Sequence, residues 1–377
     1  MGDSSNCRGE WQTMRNRLHS ICPYFAMFPE DFVLRHVLAY SSPGDLVFDP
    51  FSGRGTTILE SLLNRRNAIG LDINPVAACV SGAKANPPSV ESALERIADL
   101  ERASCNATDN SLENNDFFQL CFHADTLRQI GWLRENLDWR HDQVDQFLAA
   151  IILGALHGES HRTTNCLSNR MPRTISTKPG YSVRWWRSRG LEAPKRDVFA
   201  VLRRLAVYRL NGQTPLIRGS VKLGNVRDAS EIFPTHLSAV DLIITSPPYL
   251  DTTDYMEDQW LRLWFLDGAP RPIAGLNRDD RHTSVESYWS FLSEAWAGCA
   301  GLVHRGTKIV LRIGGARLER ANLIAGVESS LESGFGQFSL QPLGEVTTTE
   351  IRNRQTNVFR PGTKSKRYEH DFIYELS

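Results

Sequence analysis

DLVFDPFSGRGTTILESLLNRRNAIGLDINP, residues 45–75, is the stretch that decides the fold. DLVFDP (45–50) is short and almost continuously apolar, the pattern of a strand buried on both faces. SGRGTT follows as a glycine loop, and ILESLLNRR (58–66) places Ile58, Leu59, Leu62 and Leu63 at helical spacing. NAIGLDINP (67–75) is a second short strand ending in an acid. Strand, loop, helix and strand within ~30 residues make a β-α-β unit, whose crossover sets the two strands parallel.

Upstream, PEDFVLRHVLAYSS (29–42) carries Phe32, Val33, Val37 and Leu38 at helical spacing and stops at Pro43-Gly44. Downstream, residues 76–158 read mostly as helix, including VDQFLAAIILGALHG (144–158), with a polar loop at 104–116. Strand character returns at 220–226, 240–246, 306–315 and 368–376. The expected fold is α/β and Rossmann-like, a mostly parallel twisted sheet interrupted between its second and third strands by a largely helical insertion. Residues 1–90 and 219–377 are expected to build the sheet domain, and residues 91–218 the insertion. No internal repeat or low-complexity run is present.

Composition bounds the rest. At 377 residues, 41% hydrophobic and 23% charged, the chain reads as a soluble globular protein, which excludes a disordered one. Seven scattered cysteines, with no C-x-x-C pair and no zinc-ligand spacing, read as reduced intracellular thiols, and no metal is expected. MGDSSNCRGEW lacks a basic-then-apolar leader, and no apolar run reaches the ~18 to 20 residues of a membrane helix. A cytoplasmic location is expected.

The formal net charge is +0, yet residues 160–218 hold thirteen Lys or Arg against two acids. Within them YSVRWWRSRG (181–190) interleaves Tyr181, Trp185 and Trp186 with Arg184, Arg187 and Arg189. Arginines neutralise phosphates and aromatic faces stack on bases, so nucleic-acid contact is favoured here over a solvated helical face.

At the other end, Asp49 closes the first strand, and Gly53-x-Gly55 lets backbone amides approach a ligand without Cβ interference. Asp72 lies 17 residues beyond Gly55 at the tip of the second strand, where a carboxylate can accept ribose hydroxyls. The loop reads Gly-Arg-Gly-Thr-Thr, without the Gly-Lys-Ser/Thr of an ATP-binding loop or the third glycine of a dinucleotide loop. An acid at its entrance suits a cationic ligand. S-adenosylmethionine fits, having a ribose, an ammonium and a sulfonium but no phosphate.

One further segment asks for an explanation. In VDLIITSPPYLDTTDY (240–255) the apolar run ends at Ser246-Pro247-Pro248-Tyr249, and two prolines must terminate the ladder and hold the next few atoms rigidly.

DPF-G-GTT paired with TSPPY resembles the amino-methylating DNA methyltransferases, which use S-adenosylmethionine to modify exocyclic nitrogens of cytosine or adenine. The resemblance rests on residues 28–75 and on GNVRDASEIFPTHLSAVDLIITSPPYLDTTDY, with weaker support from GTKIVLRIGG, so it spans the chain discontinuously. It implies that the Ser246 hydroxyl and the Pro247 carbonyl accept the two amino hydrogens, that Pro248 stiffens the corner, and that Tyr249 stacks on a base rotated out of the duplex. The Ser-Pro-Pro-Tyr form leans towards the 4-amino group of cytosine; adenine, or an RNA, is the nearer alternative. A catalytically silent nucleic-acid-binding subunit on the same fold is the alternative of another class.

The same resemblance places Phe51 to Gly55, including Thr56 beside them, at the methionine end of the cofactor and Asp72 at its ribose. Asn225 stands where many relatives carry Asp against the adenine, with Asp228 as the nearby substitute. Phe28, in the Phe28-Pro29 pair, matches the family's N-terminal cofactor segment, with a hydrophobic staple as the equal alternative. Asp254 and Tyr255 would shape the base pocket, although Asp254 suits a helix cap equally well. Trp260 and Trp264, one helical turn apart, are expected in the core. The partner implied is double-stranded DNA carrying a flipped base, with a cognate restriction endonuclease as a candidate companion. Ring-carbon methylation is disfavoured, because the sequence has no Pro-Cys dipeptide. The cofactor motif precedes the catalytic one, opposite to many relatives, and this makes residues 91–218 the candidate target-recognition region.

Overall fold

A computed structural model describes residues 16–24, 29–104, 115–250, 255–273, 284–315, 319–350 and 368–377. Its sheet comprises β1 (Leu46–Asp49), β2 (Asn67–Asp72), β3 (Ser220–Leu223), β4 (Val240–Thr245), β5 (Val303–Gly315), β6 (Leu340–Pro342), β7 (Thr347–Glu350) and β8 (Tyr368–Leu376). The strand order is β3-β2-β1-β4-β5-β8-β6, with β7 also paired to β8. Strands β1 to β5 run parallel, whereas β8 is antiparallel to β5, β6 and β7. The Rossmann-like, mostly parallel sheet expected from the sequence is therefore present. Its third strand stops at Leu223, short of the expected 226, and β6 and β7 had no sequence signal: they are short, largely exposed, and held only by β8.

The helices are α1 (Glu30–Tyr40), α2 (Thr56–Leu63), α3 (Pro75–Ala85), α4 (Val90–Ser104), α5 (Asp116–Cys121), α6 (Ala124–Asn136), α7 (Gln143–Ala155), α8 (Pro179–Arg187), α9 (Val198–Leu210), α10 (Ala229–Ile232), α11 (Tyr255–Asp258), α12 (Trp260–Phe265), α13 (Val285–Cys299) and α14 (Arg320–Gly334). Local chemistry sets their starts. Asn74 accepts from Val76 N ahead of Pro75 at the first turn of α3, and Asp142 and Asp197 cap α7 and α9 through their carboxylates. No helix among the described residues is long and apolar enough to cross a membrane.

Alternate residues of the central strands feed opposite faces. Phe48, Ile243, Ile309 and Leu311 pack with Leu292 and Trp296 of α13 and Val327 and Leu331 of α14. Val47, Leu242, Ile244 and Val310 pack with Phe32, Val33 and Val37 of α1. Helices α4 to α9 lie between β2 and β3 in the chain, and their core is continuous with α3 and α12: Val80, Phe118, Phe147, Phe199, Trp260 and Trp264 belong to one cluster. Both Trp260 and Trp264 are thus core residues, as expected.

Arg262 clamps the insertion in place. Fully buried, it donates to the carbonyls of Leu153 (3.0 Å), Pro23 (2.8 Å) and Arg173 (2.8 Å) and to Gln259 Oε1 (2.7 Å). A buried guanidinium is tolerated only when its donors are satisfied in this way.

Candidate active site

The carboxyl ends of β1, β2 and β4 meet where the strand order reverses, the crevice in which open α/β sheets bind ligands. Two motifs distant in sequence converge there. Thr245 Oγ1, one residue before Ser246, donates to Asp49 Oδ1 at 2.7 Å, and Thr57 Oγ1 of α2 donates to Ile244 O at 3.3 Å. The start of the Ser-Pro-Pro-Tyr corner is therefore tied directly to the base of the glycine loop.

Asp72 organises that loop. Its Oδ2 accepts from Gly53 N (2.8 Å) and its Oδ1 from Asn74 N (2.9 Å), so one carboxylate holds both the glycine turn and the start of α3. The two glycines differ in their surroundings. Gly53 has φ +50° and a Cβ there would meet only Phe51 O, at 3.8 Å, whereas Gly55, at φ +74°, would put a Cβ 2.4 Å from Ser81 Oγ and 2.9 Å from Ser81 Cα. Gly55 serves the close approach of α2 to α3. Gly53→Ala is expected to cost about 1–2 kcal/mol of backbone strain. Gly55→Ala is expected to cost a further ~1–3 kcal/mol of overpacking. Denaturant midpoints of the two variants check this order.

Asp49 is 2% exposed, accepting from Thr245 Oγ1 and from Phe51 N (3.2 Å). Burial pushes its carboxyl up to about 7, against the pull of the Thr245 and Thr57 hydroxyls and the Phe51 amide; the charge of Asp72 raises it further. A folded-state pKa above the unfolded one stabilises the fold at low pH, and that contribution is lost as pH rises through 7. Asn at this position keeps the acceptor and cannot ionise. The stability of the wild type relative to Asp49→Asn is therefore expected to fall by up to ~4 kcal/mol between pH 4 and 8. Urea titrations across that range check it, and a pH-independent difference would contradict the burial argument.

Ser52 Oγ, Thr56 Oγ1 and Ser81 Oγ, all around the glycine turn, are buried with no hydrogen-bond partner among the described residues. Hydroxyls left in that state suit a polar ligand. Phe51 is half-buried and packs on α13, its ring centroid 6.1 Å from Phe291 and 6.3 Å from Trp296. Gly224 N donates to Asp72 O (3.0 Å), which brings the turn after β3 to the same rim. There Asn225 Oδ1 accepts from Arg227 N (3.1 Å), capping the turn, and Asp228 is exposed. Sequence reasoning missed Ile73 and Leu223, apolar residues 61% and 40% exposed at the ends of β2 and β3. A flat ring would cover them; their signal was an apolar residue directly after the Asp72 acid and another at the end of β3.

At the corner itself Pro247 is buried and Ser246, Pro248 and Tyr249 are half-buried. Ser246 Oγ donates to Tyr249 OH (3.3 Å), which donates to Glu369 Oε1 of β8 (3.2 Å). The Tyr249 ring lies on Gly314 of β5, where a Cβ would come within 2.7 Å of Cε2. Burial and the Glu369 charge hold the Tyr249 phenol well above its ordinary range, so it stays neutral. Phe28 and Asp254 lie outside the described residues, and Tyr255 is described only as the backbone start of α11.

The basic segment needs two corrections. Trp186 is 1% exposed, its indole donating to Arg170 O (2.8 Å) and its ring packed on Phe117 at 5.5 Å, so it offers no face to a base. Trp185 is half-buried, with the guanidinium of Arg189 at 4.7 Å and that of Arg170 at 5.7 Å from its ring centre. The charge excess is also smaller in space than along the chain. Arg162, Lys178, Arg187, Lys195 and Arg203 pair with Glu159, Glu257, Asp116, Asp125 and Glu101, all outside residues 160–218. Among the described residues Arg170, Arg184 and Arg189 make no ion pair, and Arg170 and Trp185 line a cavity of about 700 Å³ with Arg173 and Tyr181.

Next to Arg54 of the glycine loop, ligand atoms of His19, Glu30 and Glu60 lie within 4.8 Å of one another. His19 Nε2 and Glu60 Oε1 are hydrogen-bonded at 2.6 Å, and an Arg54 nitrogen stands 3.8 Å from Glu30. The cluster is a buried ion-pair network already supplied with a cation.

A glycine turn, an acid at the second strand tip and a stiffened corner at the fourth thus surround one Rossmann-like switch-point crevice. Residues 3–80 match the N6_N4_Mtase family model, described as DNA methylase. Orphan methyltransferase M.BamHII of Bacillus amyloliquefaciens is 49% identical over 49 residues, 13% of this chain and 18% of its own length. DNA adenine methyltransferase YhdJ of Escherichia coli is 46% identical over 46 residues, 12% and 16% respectively. The matches thus span under a fifth of these relatives. Among solved structures, the rRNA methyltransferase aviRa from Streptomyces viridochromogenes aligns over 98% of this chain and 96% of its own, at 12% identity and a TM-score of 0.36. The sequence similarity to DNA methylases is thus confined to these short segments.

Proposed function

We propose that the protein transfers a methyl group from S-adenosylmethionine to the 4-amino group of a cytosine rotated out of double-stranded DNA. The observation that carries this reading is the 2.7 Å contact from Thr245 to Asp49, which fixes Ser246 beside the glycine loop. Bound there, the cofactor supplies a methyl group activated by positive sulfur. Asp72 and the Gly53 turn would hold its ribose end, Ile73 and Leu223 its adenine face, and Ser52, Thr56 and Asp49 its cationic, polar end.

The residues of the chain do the rest by geometry. An aromatic amino nitrogen is a poor nucleophile because its lone pair is delocalised into the ring. Ser246 Oγ and the Pro247 carbonyl accept its two hydrogens, turning the lone pair out of the ring plane and towards the methyl group. Pro247 and Pro248 keep those acceptors from drifting. The insertion positions the duplex, with Arg170, Arg184 and Arg189 on phosphates and Trp185 or Tyr181 presenting an aromatic face.

Adenine at its 6-amino group is the second reading, favoured by the name of the Escherichia coli relative. Mass spectrometry of nucleosides from DNA methylated in vitro separates the two: N4-methylcytosine is expected, and N6-methyladenine as sole product would refute the cytosine assignment.

A further inference from the structure

Glu369 of β8 lies outside both motifs, yet the geometry joins it to the reacting corner. A carboxylate can only accept, so Tyr249 OH must donate its one proton to Glu369 Oε1. The Tyr249 oxygen is then left as an acceptor and takes the Ser246 proton at 3.3 Å. Ser246 consequently turns lone pairs, not its hydrogen, towards whatever occupies the corner. Without that chain the hydroxyl can rotate its proton towards the incoming amino group and meet donor with donor.

The anchor behind Glu369 is rigid. Arg312 of β5 donates to Glu369 Oε2 (3.3 Å) and grips Asp371 through two bonds of 2.6 and 2.9 Å, while its guanidinium lies 3.8 Å from the Phe32 ring centre on α1. Gly314 and Glu369 are partners across the β5–β8 ladder, and the Tyr249 ring rests on that glycine. The charged and titratable groups facing Glu369 are Arg312 from β5, Tyr249 from the loop after β4 and Asp371 from its own strand. His36 of α1 faces Arg312 and Asp371 behind them, and β7 places uncharged Thr349 opposite Glu369.

We propose that Glu369 is a positioning residue for methyl transfer: through Tyr249 it fixes Ser246 as an acceptor, and along the same chain it receives the proton the amino nitrogen releases. This rests on the methyl-transfer reading. The step balances. As the nitrogen–methyl bond forms and the sulfur–methyl bond breaks, the nitrogen gives one hydrogen to Ser246 Oγ, Ser246 passes its own to Tyr249, and Tyr249 passes its own to Glu369. Ser246 and Tyr249 end neutral and Glu369 ends protonated. With its side chain 24% exposed, Glu369 can return the proton to water. Burial raises its pKa above the ordinary carboxylate value, Arg312 and Tyr249 opposing, so it is poised as an acceptor.

The test is steady-state methylation of DNA by the full chain across pH, with wild type, Glu369→Gln and Glu369→Asp. Gln is close in shape, cannot take the proton, and can donate to Tyr249 and reverse the chain. Glu369→Gln is expected to lower kcat on the order of 10²-fold with DNA KM and cofactor affinity unchanged. The part of the acid-side decline of kcat that comes from protonating Glu369 is expected to be lost in it, while Asp49 titrates alike in both proteins. Glu369→Asp, which keeps the charge, recovers part of the rate. Wild-type kcat in Glu369→Gln, or an acid-side profile the same as that of the wild type, overturns the proposal.

A second readout needs no turnover. In ¹³C-tyrosine-labelled protein, with Tyr249 assigned by Tyr249→Phe, the Tyr249 phenol is expected to ionise at lower pH in Glu369→Gln than in wild type, because a neighbouring negative charge is gone. An unchanged titration refutes the contact itself. If the titration shifts and the wild type methylates no DNA, the contact stands and the methyl-transfer reading fails.

Discussion

Ser246→Ala is expected to lower kcat for methyl transfer by ~10²-fold or more while leaving the dissociation constant for S-adenosylmethionine unchanged. The hydroxyl sits at the tip of β4, half-buried, and its protein contact is with Tyr249 OH, not with the glycine loop. On the proposed methyl transfer, alanine removes an acceptor that matters only as the amino nitrogen becomes tetrahedral, and the neighbouring Thr245–Asp49 bond that holds β4 to β1 is untouched. Equilibrium binding of the cofactor alongside single-turnover methylation separates the two quantities. A loss of cofactor affinity as large as the loss of rate would show that Ser246 helps build the cofactor pocket instead.

Asp72→Ala is expected to do the reverse, weakening cofactor binding ~10- to 100-fold, about 1.4–2.8 kcal/mol. Its carboxylate is positioned by Gly53 N and Asn74 N, so removing it costs a ligand partner and also frees the glycine turn and the first turn of α3. The fold should therefore lose ~1–2 kcal/mol as well, visible as a lower denaturant midpoint. At saturating cofactor kcat should stay close to wild type. A variant with normal affinity and low kcat would contradict the division of roles between the two strand tips.

How much of this could be read from the amino acids depended on whether the signal was local. The β-α-β unit of residues 45–75 was legible because burial on both faces, glycines and a helical stripe all fall within one short window. The Ser-Pro-Pro-Tyr corner was legible because proline stops a ladder wherever it stands. Gly314 and Glu369 were not, since their meeting depends on the β5–β8 register across a long separation. The one available hint was a glycine at the end of an otherwise apolar strand, which marks close approach by another group.

Other misreadings share that cause. The two adjacent tryptophans of α8 point to different sides of one helix, and nothing in YSVRWWRSRG says that Trp186 turns to Phe117 while Trp185 turns to Arg170 and Arg189. A charge count along residues 160–218 could not include Glu101, Asp116 or Glu257, which reach their partners only through the packing of α4, α5 and α11. The crowding of Gly55 by Ser81 was equally hidden, because it arises where α2 crosses α3.

The most direct measurement is modified-base sequencing of the genome of a host that expresses this chain alone, beside a host expressing Ser246→Ala. N4-methylcytosine at one recurring sequence in the first host, and at none in the second, is the expected result. Identical genomes in both, with both proteins folded and binding S-adenosylmethionine, would contradict the claim that the corner at Ser246 presents a nucleobase to the cofactor.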